Sequence, residues 1–255
     1  MKLTIILWLL IFYLPNAFSF AKTKTNFEQL NADFLSFFND YKPNDIIIQI
    51  HSNWEINFPA ASTERSTDYE ITKNKRPIEW DISILSGYFR DIDGGFDVHL
   101  LVLCHEMAHH LGGAPYKVDD NGVIRWASME AQSDYWAAKT CMPNFLKKFP
   151  KYLKQRTQIH PEIDRECSRE YYTWFNNFKY CLFTSQAALQ LAKIHDNNRS
   201  PSEPITEAVN PETPEALIAT QMDRNSYPSN QCRFDTSFAA ALGRPRPPCW
   251  YPDLQ

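Results

Sequence analysis

The residues able to do chemistry concentrate in LVLCHEMAHHLGGAP, residues 101 to 115. His105 and His109 stand four apart, so on a helix their imidazoles project from one face. Two neutral imidazoles at that separation can grip one Zn²⁺ from a rigid support, leaving positions for a third protein ligand and water. Glu106, one step on, comes round beside such an ion, where a carboxylate can take a proton from bound water and pass it to a leaving group. This is the mechanical content of the HExxH pattern. The competing reading is a solvated, histidine-rich helix face.

Cys104 and His110 fall off the metal-facing side, because each helical step turns a side chain by about 100°. Cys104 is expected as a disulfide partner or buried thiol, and His110 beside the site or on the surface. Gly112 and Gly113 stand where the helix should stop and release the chain.

The third ligand has two possible sources. HExxHxxG is matched through Gly112, and a further histidine three residues on would complete the metzincin pattern, which the chain resembles only in part. Position 115 is Pro, which cannot ligate. The other source is a carboxylate on a following helix. EAQSDYWA offers Glu130, with Asp134 four residues later on the same face.

HExxH followed about twenty residues on by ExxxD resembles the gluzincin zinc metallopeptidases, thermolysin-like in spacing. The run Glu130, Asp134, Ala137 is also similar to that of certain membrane and periplasmic metallopeptidases. The resemblance covers residues 96 to 142. It implies that His105, His109 and Glu130 bind zinc and that Glu106 is the general base. It also implies that Asp134 accepts a hydrogen bond from a ligand histidine, His105 in the first place, fixing its tautomer and orientation. The activity implied is zinc-dependent endopeptidase action on a peptide or protein substrate, within a helix-rich, zincin-like α+β fold. In such enzymes a strand ahead of the metal helix receives the substrate backbone by strand addition, a role the resemblance would give to IEWDISIL, 78 to 85. The C-terminal QCRFDT and RPPCW stretches are similar to those of exported bacterial proteins with a comparable HExxH helix.

No residue type ranks the donors for an oxyanion: His160, Tyr171, Tyr172 and His195 are candidates, and the role is left unassigned. A different class of function, an exported zinc- and disulfide-stabilised binding or inhibitory protein without catalysis, stands beside the enzyme, as does a disulfide-built interaction module. The intact Glu106 favours the enzyme, since a binding protein has no use for the base.

The elements that must position these residues follow from periodicity. NFEQLNADFLSFFNDY spaces Phe27, Leu30, Phe34 and Phe37 as an amphipathic helix. DIIIQIHSNWEINF predicts a strand around 45 to 58, and IEWDISIL alternates as a second. ASTERSTDYEITKNKRP between them is polar and predicts a loop. FDVHLLVLCHEMAHHLGG predicts a long apolar helix closed by Gly112. Ser128 to Cys141 predicts another, ended by Pro143, with further helices near 144 to 154, 161 to 177 and 180 to 195. The fold class expected is α+β, helix-rich, with a small N-terminal sheet.

The chain has 255 residues, 44% hydrophobic and 14% aromatic, enough for a sizeable core, and a net charge of −4. That charge gives no sign of nucleic-acid binding. Residues 1 to 21 carry Lys2, an apolar run from Leu3 to Leu14, and small residues at Ala17, Ser19 and Ala21, as in a cleaved secretory signal. No stable membrane insertion is expected after cleavage, because that run is too short to span a bilayer. Residues 22 to 255 are expected as one domain, secreted or periplasmic, with a Pro-rich excursion at about 196 to 216 and a disulfide-containing tail. The six cysteines allow up to three disulfides. Cys232 with Cys249 is the local pairing expected.

Overall fold

A computed structural model describes residues 21–40, 42–66, 78–155, 158–172, 175–198 and 208–252. The expected signal segment lies, but for Ala21, outside the described residues, as do 67–77 and part of the Pro-rich excursion.

The first helix, α1 (Lys24–Asn39), starts at Thr23, whose side chain accepts from the Asn26 backbone N–H at 3.2 Å. Its apolar stripe buries Phe27, Leu30, Phe34, Phe37 and Phe38. Strands β1 (Ile46–Asn53), β2 (Ala61–Arg65) and β3 (Ile78–Leu85) form one sheet in the order β1-β3-β2. β1 runs parallel to β3 and β2 antiparallel to it. Alternation along β3 sends Trp80, Ile82 and Ile84 inward.

Two expectations change here. β1 ends at Asn53. Within the segment read as loop, residues 61 to 65 are a strand, because polar Ser62 and Glu64 face solvent while Thr63 turns inward against β3. β3 is consequently the central strand, paired on both sides. It cannot add a substrate strand; among the described residues the edges of the sheet are β1 and β2, and β2 is the one beside the helix Phe96–Leu111 that follows.

After a short turn of helix, α2 (Gly87–Arg90), comes α3 (Phe96–Leu111), buried along nearly its whole length. α3 is the axis of the molecule: α1, β2, β3 and several of the later helices, Glu130–Trp136 and Phe175–Asn197 foremost, pack on it. A hairpin of β4 (Tyr116–Val118) and β5 (Ile124–Ser128), not foreseen from sequence, then leads into α4 (Glu130–Trp136). Pro143 does not end this helix. A π turn, Ala137–Cys141, shifts the hydrogen-bond register, and Pro143 then sits in the first turn of α5 (Met142–Lys148), where a missing N–H is tolerated.

A 3-10 segment (Pro150–Gln155), α6 (Pro161–Tyr171) and α7 (Phe175–Asn197) follow, and α8 (Asn230–Ala241) closes the chain onto α4 and α7. The architecture is the helix-rich α+β fold expected. Among the described residues no helix is long and apolar enough to cross a membrane.

All six cysteines pair: Cys104–Cys141, Cys167–Cys181 and the expected Cys232–Cys249. Three disulfides fit an oxidising compartment outside the cytosol. Cys104–Cys141 closes a loop of sequence separation 37 that contains His105, Glu106, His109, Glu130 and Asp134. In the chain-entropy estimate, opening a loop of this size costs about 4 kcal/mol. Replacing both Cys104 and Cys141 by Ala should lower the unfolding free energy by that order in urea titrations; a change under about 1 kcal/mol would show that the bridge does not constrain the unfolded chain.

Candidate metal centre

The side chains singled out by spacing converge at the floor of one cleft of about 710 Å³. α3 presents His105 and His109 from one face, their rings 4.8 Å apart and nearly perpendicular. The helix stops at Gly112, where a Cβ would meet the Ala108 carbonyl oxygen at 2.6 Å and the Ser128 hydroxyl at 3.1 Å. Gly113 then takes φ +75°, the left-handed turn that sends the chain away from the helix axis. Pro115, excluded as a ligand, has its carbonyl accept from the Met129 N–H at 3.0 Å, which aligns the end of the hairpin. Glu130 is the next residue, the first of α4.

His105, His109 and Glu130 are buried, and each offers a ligand atom within 4.8 Å of the others. The donor chemistry is that of a divalent transition ion: two imidazole nitrogens and one carboxylate oxygen. Both imidazoles are held from behind through Nδ1. That of His105 lies 2.7 Å from Asp134 Oδ1, and that of His109 lies 2.8 Å from the Ser128 carbonyl and 3.0 Å from the Ser133 hydroxyl. With Nδ1 carrying the proton, each Nε2 is the atom left to ligate.

The expected partner of Asp134 is thus His105, but it has a second that the sequence did not reveal. Arg233 on α8 grips the same carboxylate with two bonds, Nε to Oδ2 at 2.7 Å and Nη2 to Oδ1 at 2.9 Å. Its neighbour Cys232 is bridged to Cys249, which fastens α8 where Arg233 can reach across. The only sequence hint was that disulfide. Nothing in the spacing of Arg233 to the metal helix foretells a contact 99 residues apart in sequence.

Electrostatics follow from burial and pairing. Burial alone would raise Glu130 and Asp134, but His105 beside both and Arg233 beside Asp134 hold them well below the usual carboxylate range. Burial pulls His105 down, and the two carboxylates outweigh it, so its pKa stands at about 10 with only protein charges around it. Burial, with the charge of His105, lowers His109 to about 4. Burial lifts Glu106 to about 7.

The remaining expectations separate cleanly. Cys104 is in its disulfide with no reach to the cleft. His110 is neither ligand nor surface residue: it is half-buried and stacked between Trp80 and Trp126. Of the four oxyanion candidates only His195 lines the cleft, its Nε2 3.3 Å from the Tyr88 hydroxyl. His160 caps α6, Tyr171 donates to the Ala241 carbonyl, and Tyr172 is exposed. Tyr88, Lys117 and Tyr227, none of them foreseen, also line the cleft.

An ion can take His105 Nε2 only after that nitrogen gives up a proton. Below about pH 10 ion uptake should therefore release about one proton, and affinity should rise roughly tenfold per pH unit between 6 and 8. Calorimetry in buffers of different ionisation enthalpy reads the proton count directly; zero release would contradict the charge state derived for His105.

No protein-family model, no curated protein and no solved structure matches this chain.

Proposed function

We propose that this chain is an exported zinc-dependent endopeptidase in which His105, His109 and Glu130 hold the ion and Glu106 is the general base. The reading is supported above all by Glu106. It is a buried carboxylate on the cleft floor beside the metal-binding group, and no described residue hydrogen-bonds to it. A structural carboxylate at 7% exposure has partners that satisfy its lone pairs. Glu106 instead opens onto the cleft, and with burial lifting its pKa to about 7 it is placed to accept and return protons. A binding or inhibitory protein has no need of such a group.

Zinc suits two imidazoles and a carboxylate, and there it would supply a Lewis acid that polarises a scissile carbonyl and acidifies water. The chain's own side chains do the rest. Glu106 takes the proton of the attacking water at its carboxylate and hands it to the departing amine. Asp134, braced by Arg233, keeps His105 in the tautomer that ligates. The Tyr88 hydroxyl, with His195 Nε2 donating to its oxygen, lines the cleft as a hydrogen-bond donor for charge developing on the carbonyl oxygen.

An extended peptide would lie along β2, an edge strand among the described residues, whose Ala61, Ser62 and Thr63 line the cleft. Main-chain hydrogen bonds to that edge would hold the substrate without regard to sequence, leaving selectivity to the side-chain pockets. We therefore propose strand addition at β2 in place of the β3 expected from the resemblance.

Glu106→Gln should retain one equivalent of zinc yet lose at least about a hundredfold in peptide hydrolysis, while His105→Ala should lose the zinc as well. Both are read by metal analysis and a chelator-sensitive peptidase assay. Undiminished cleavage by Glu106→Gln would sink the mechanism, and wild type without zinc would sink the site.

A further inference from the structure

Lys117 does something at this site that neither a ligand nor a base does. It lies on β4, and its ammonium is 2.5 Å from Glu130 Oε1. The other oxygen of that carboxylate, Oε2, is 3.1 Å from His105 Nε2. Lys117 is 30% exposed and reaches in from the hairpin, whereas the Glu130 side chain is 2% exposed. Tyr227 flanks the ammonium, with its ring centroid 5.9 Å from Nζ. The backbone of the next residue, Val118, donates to Asn225 Oδ1 at 3.3 Å and so ties β4 to the loop carrying Tyr227.

Consider the charge this arrangement imposes in each state of the site. Without an ion, a carboxylate as buried as Glu130 needs positive partners; Arg233 acts on it from its bond to Asp134, and Lys117 is the cation in direct contact whose charge does not depend on an imidazole proton. With an ion bound, the same ammonium sits on the ion's own ligand and repels it through a poorly screened interior. A neutral donor would orient Glu130 equally well and exert no such repulsion. Arg233, Glu106, Tyr227 and the imidazoles are the other ionisable groups around Glu130: Tyr227 is within side-chain hydrogen-bond reach of it and His109 Nε2 lies 3.7 Å from Oε1, but Lys117 is the cation in direct contact with that oxygen.

Building on the zinc site proposed above, we infer that Lys117 is a counter-cation for Glu130 that competes with the ion. It keeps the ligand group assembled when no ion is bound and holds zinc affinity low enough for the ion to exchange. Lys117 is on this account a positioning residue acting through Glu130.

The test is zinc affinity, measured by competition with a chromophoric chelator on the mature full chain after dialysis against chelator. Lys117→Met and Lys117→Gln, one apolar and one still a hydrogen-bond donor, should each bind zinc about tenfold tighter or more than wild type. Lys117→Arg, which keeps the charge, should stay within about threefold. The dialysed neutral variants should also melt several degrees lower, because Glu130 loses a partner.

Unchanged or weaker zinc binding in both neutral variants, with wild type holding one equivalent, overturns the inference and leaves the proposed function standing. A lower melting temperature with unaltered affinity also overturns it, since Lys117 would then be a structural contact only. Should Lys117→Met not fold, Lys117→Gln carries the comparison on its own. Wild type that takes up no zinc refutes the zinc site itself, a result distinct from any of these.

Discussion

Two carboxylates one helical turn apart, Glu130 and Asp134, are buried beneath the cleft, and the positive charge they require organises much of the rest. Stripping a buried carboxylate of its partner costs about 3–5 kcal/mol, so each must have a cation or a donor within reach. The chain brings these from three separate places: His105 from α3, Lys117 from the hairpin and Arg233 from α8. Two of the three disulfides lie next to this network. Cys104 precedes His105 and joins the π turn that continues α4, while Cys232 precedes Arg233. Covalent bonds thus fix the spacing between helices whose side chains must meet to within tenths of an ångström.

The cleft results from the same arrangement. α3 is largely apolar where it packs into the core, and His105, Glu106 and His109 emerge from it into the cleft, so the axis of the core is also the floor of the site. β2 forms one wall, the β4–β5 hairpin another, and α7 with α8 the third; β2, β5 and α7 pack on α3, and α8 packs on α7 and α4. A polar pair such as Tyr88 and His195 can stay uncharged near neutral pH because it is buried: burial pushes Tyr88 up to about 12 and His195 down to about 3.

What was legible in the sequence was what depends on local periodicity. The four-residue spacing of His105 and His109, the carboxylates at Glu130 and Asp134, the alternation in β3 and the stripe of α1 all report the face of one element. So did Cys232 with Cys249, a near pair bracketing a proline-rich turn. What stayed hidden depends on contacts between distant segments. Arg233 and Lys117 look like ordinary surface cations until α8 and the hairpin fold back. β2 was hidden because Ser62 and Glu64 face water and give the run a polar composition, and the helix through Pro143 because a π turn relieves what a regular helix would not tolerate. The hairpin escaped notice because β4 is only three residues long.

His110 shows why the histidine count of the opening stretch misleads. Its ring is stacked on Trp80 of β3 at 4.5 Å and on Trp126 of β5 at 4.6 Å, and its Nε2 lies 2.7 Å from the Thr63 hydroxyl of β2. Thr63 already donates to the Asp81 carbonyl, so His110 is the donor in their bond and Nδ1 is the bare nitrogen. Burial drives its pKa down to about 3, which keeps the ring neutral and suited to lying flat between two indoles. One imidazole therefore joins both strand walls of the cleft to the turn of α3 that carries His109. A charged residue at this position would separate those walls, and an aliphatic one would lose the bond to Thr63 and with it the alignment of the β2 edge. The histidine nearest the ligands works as a spacer because its neighbours on either side are tryptophans and not water.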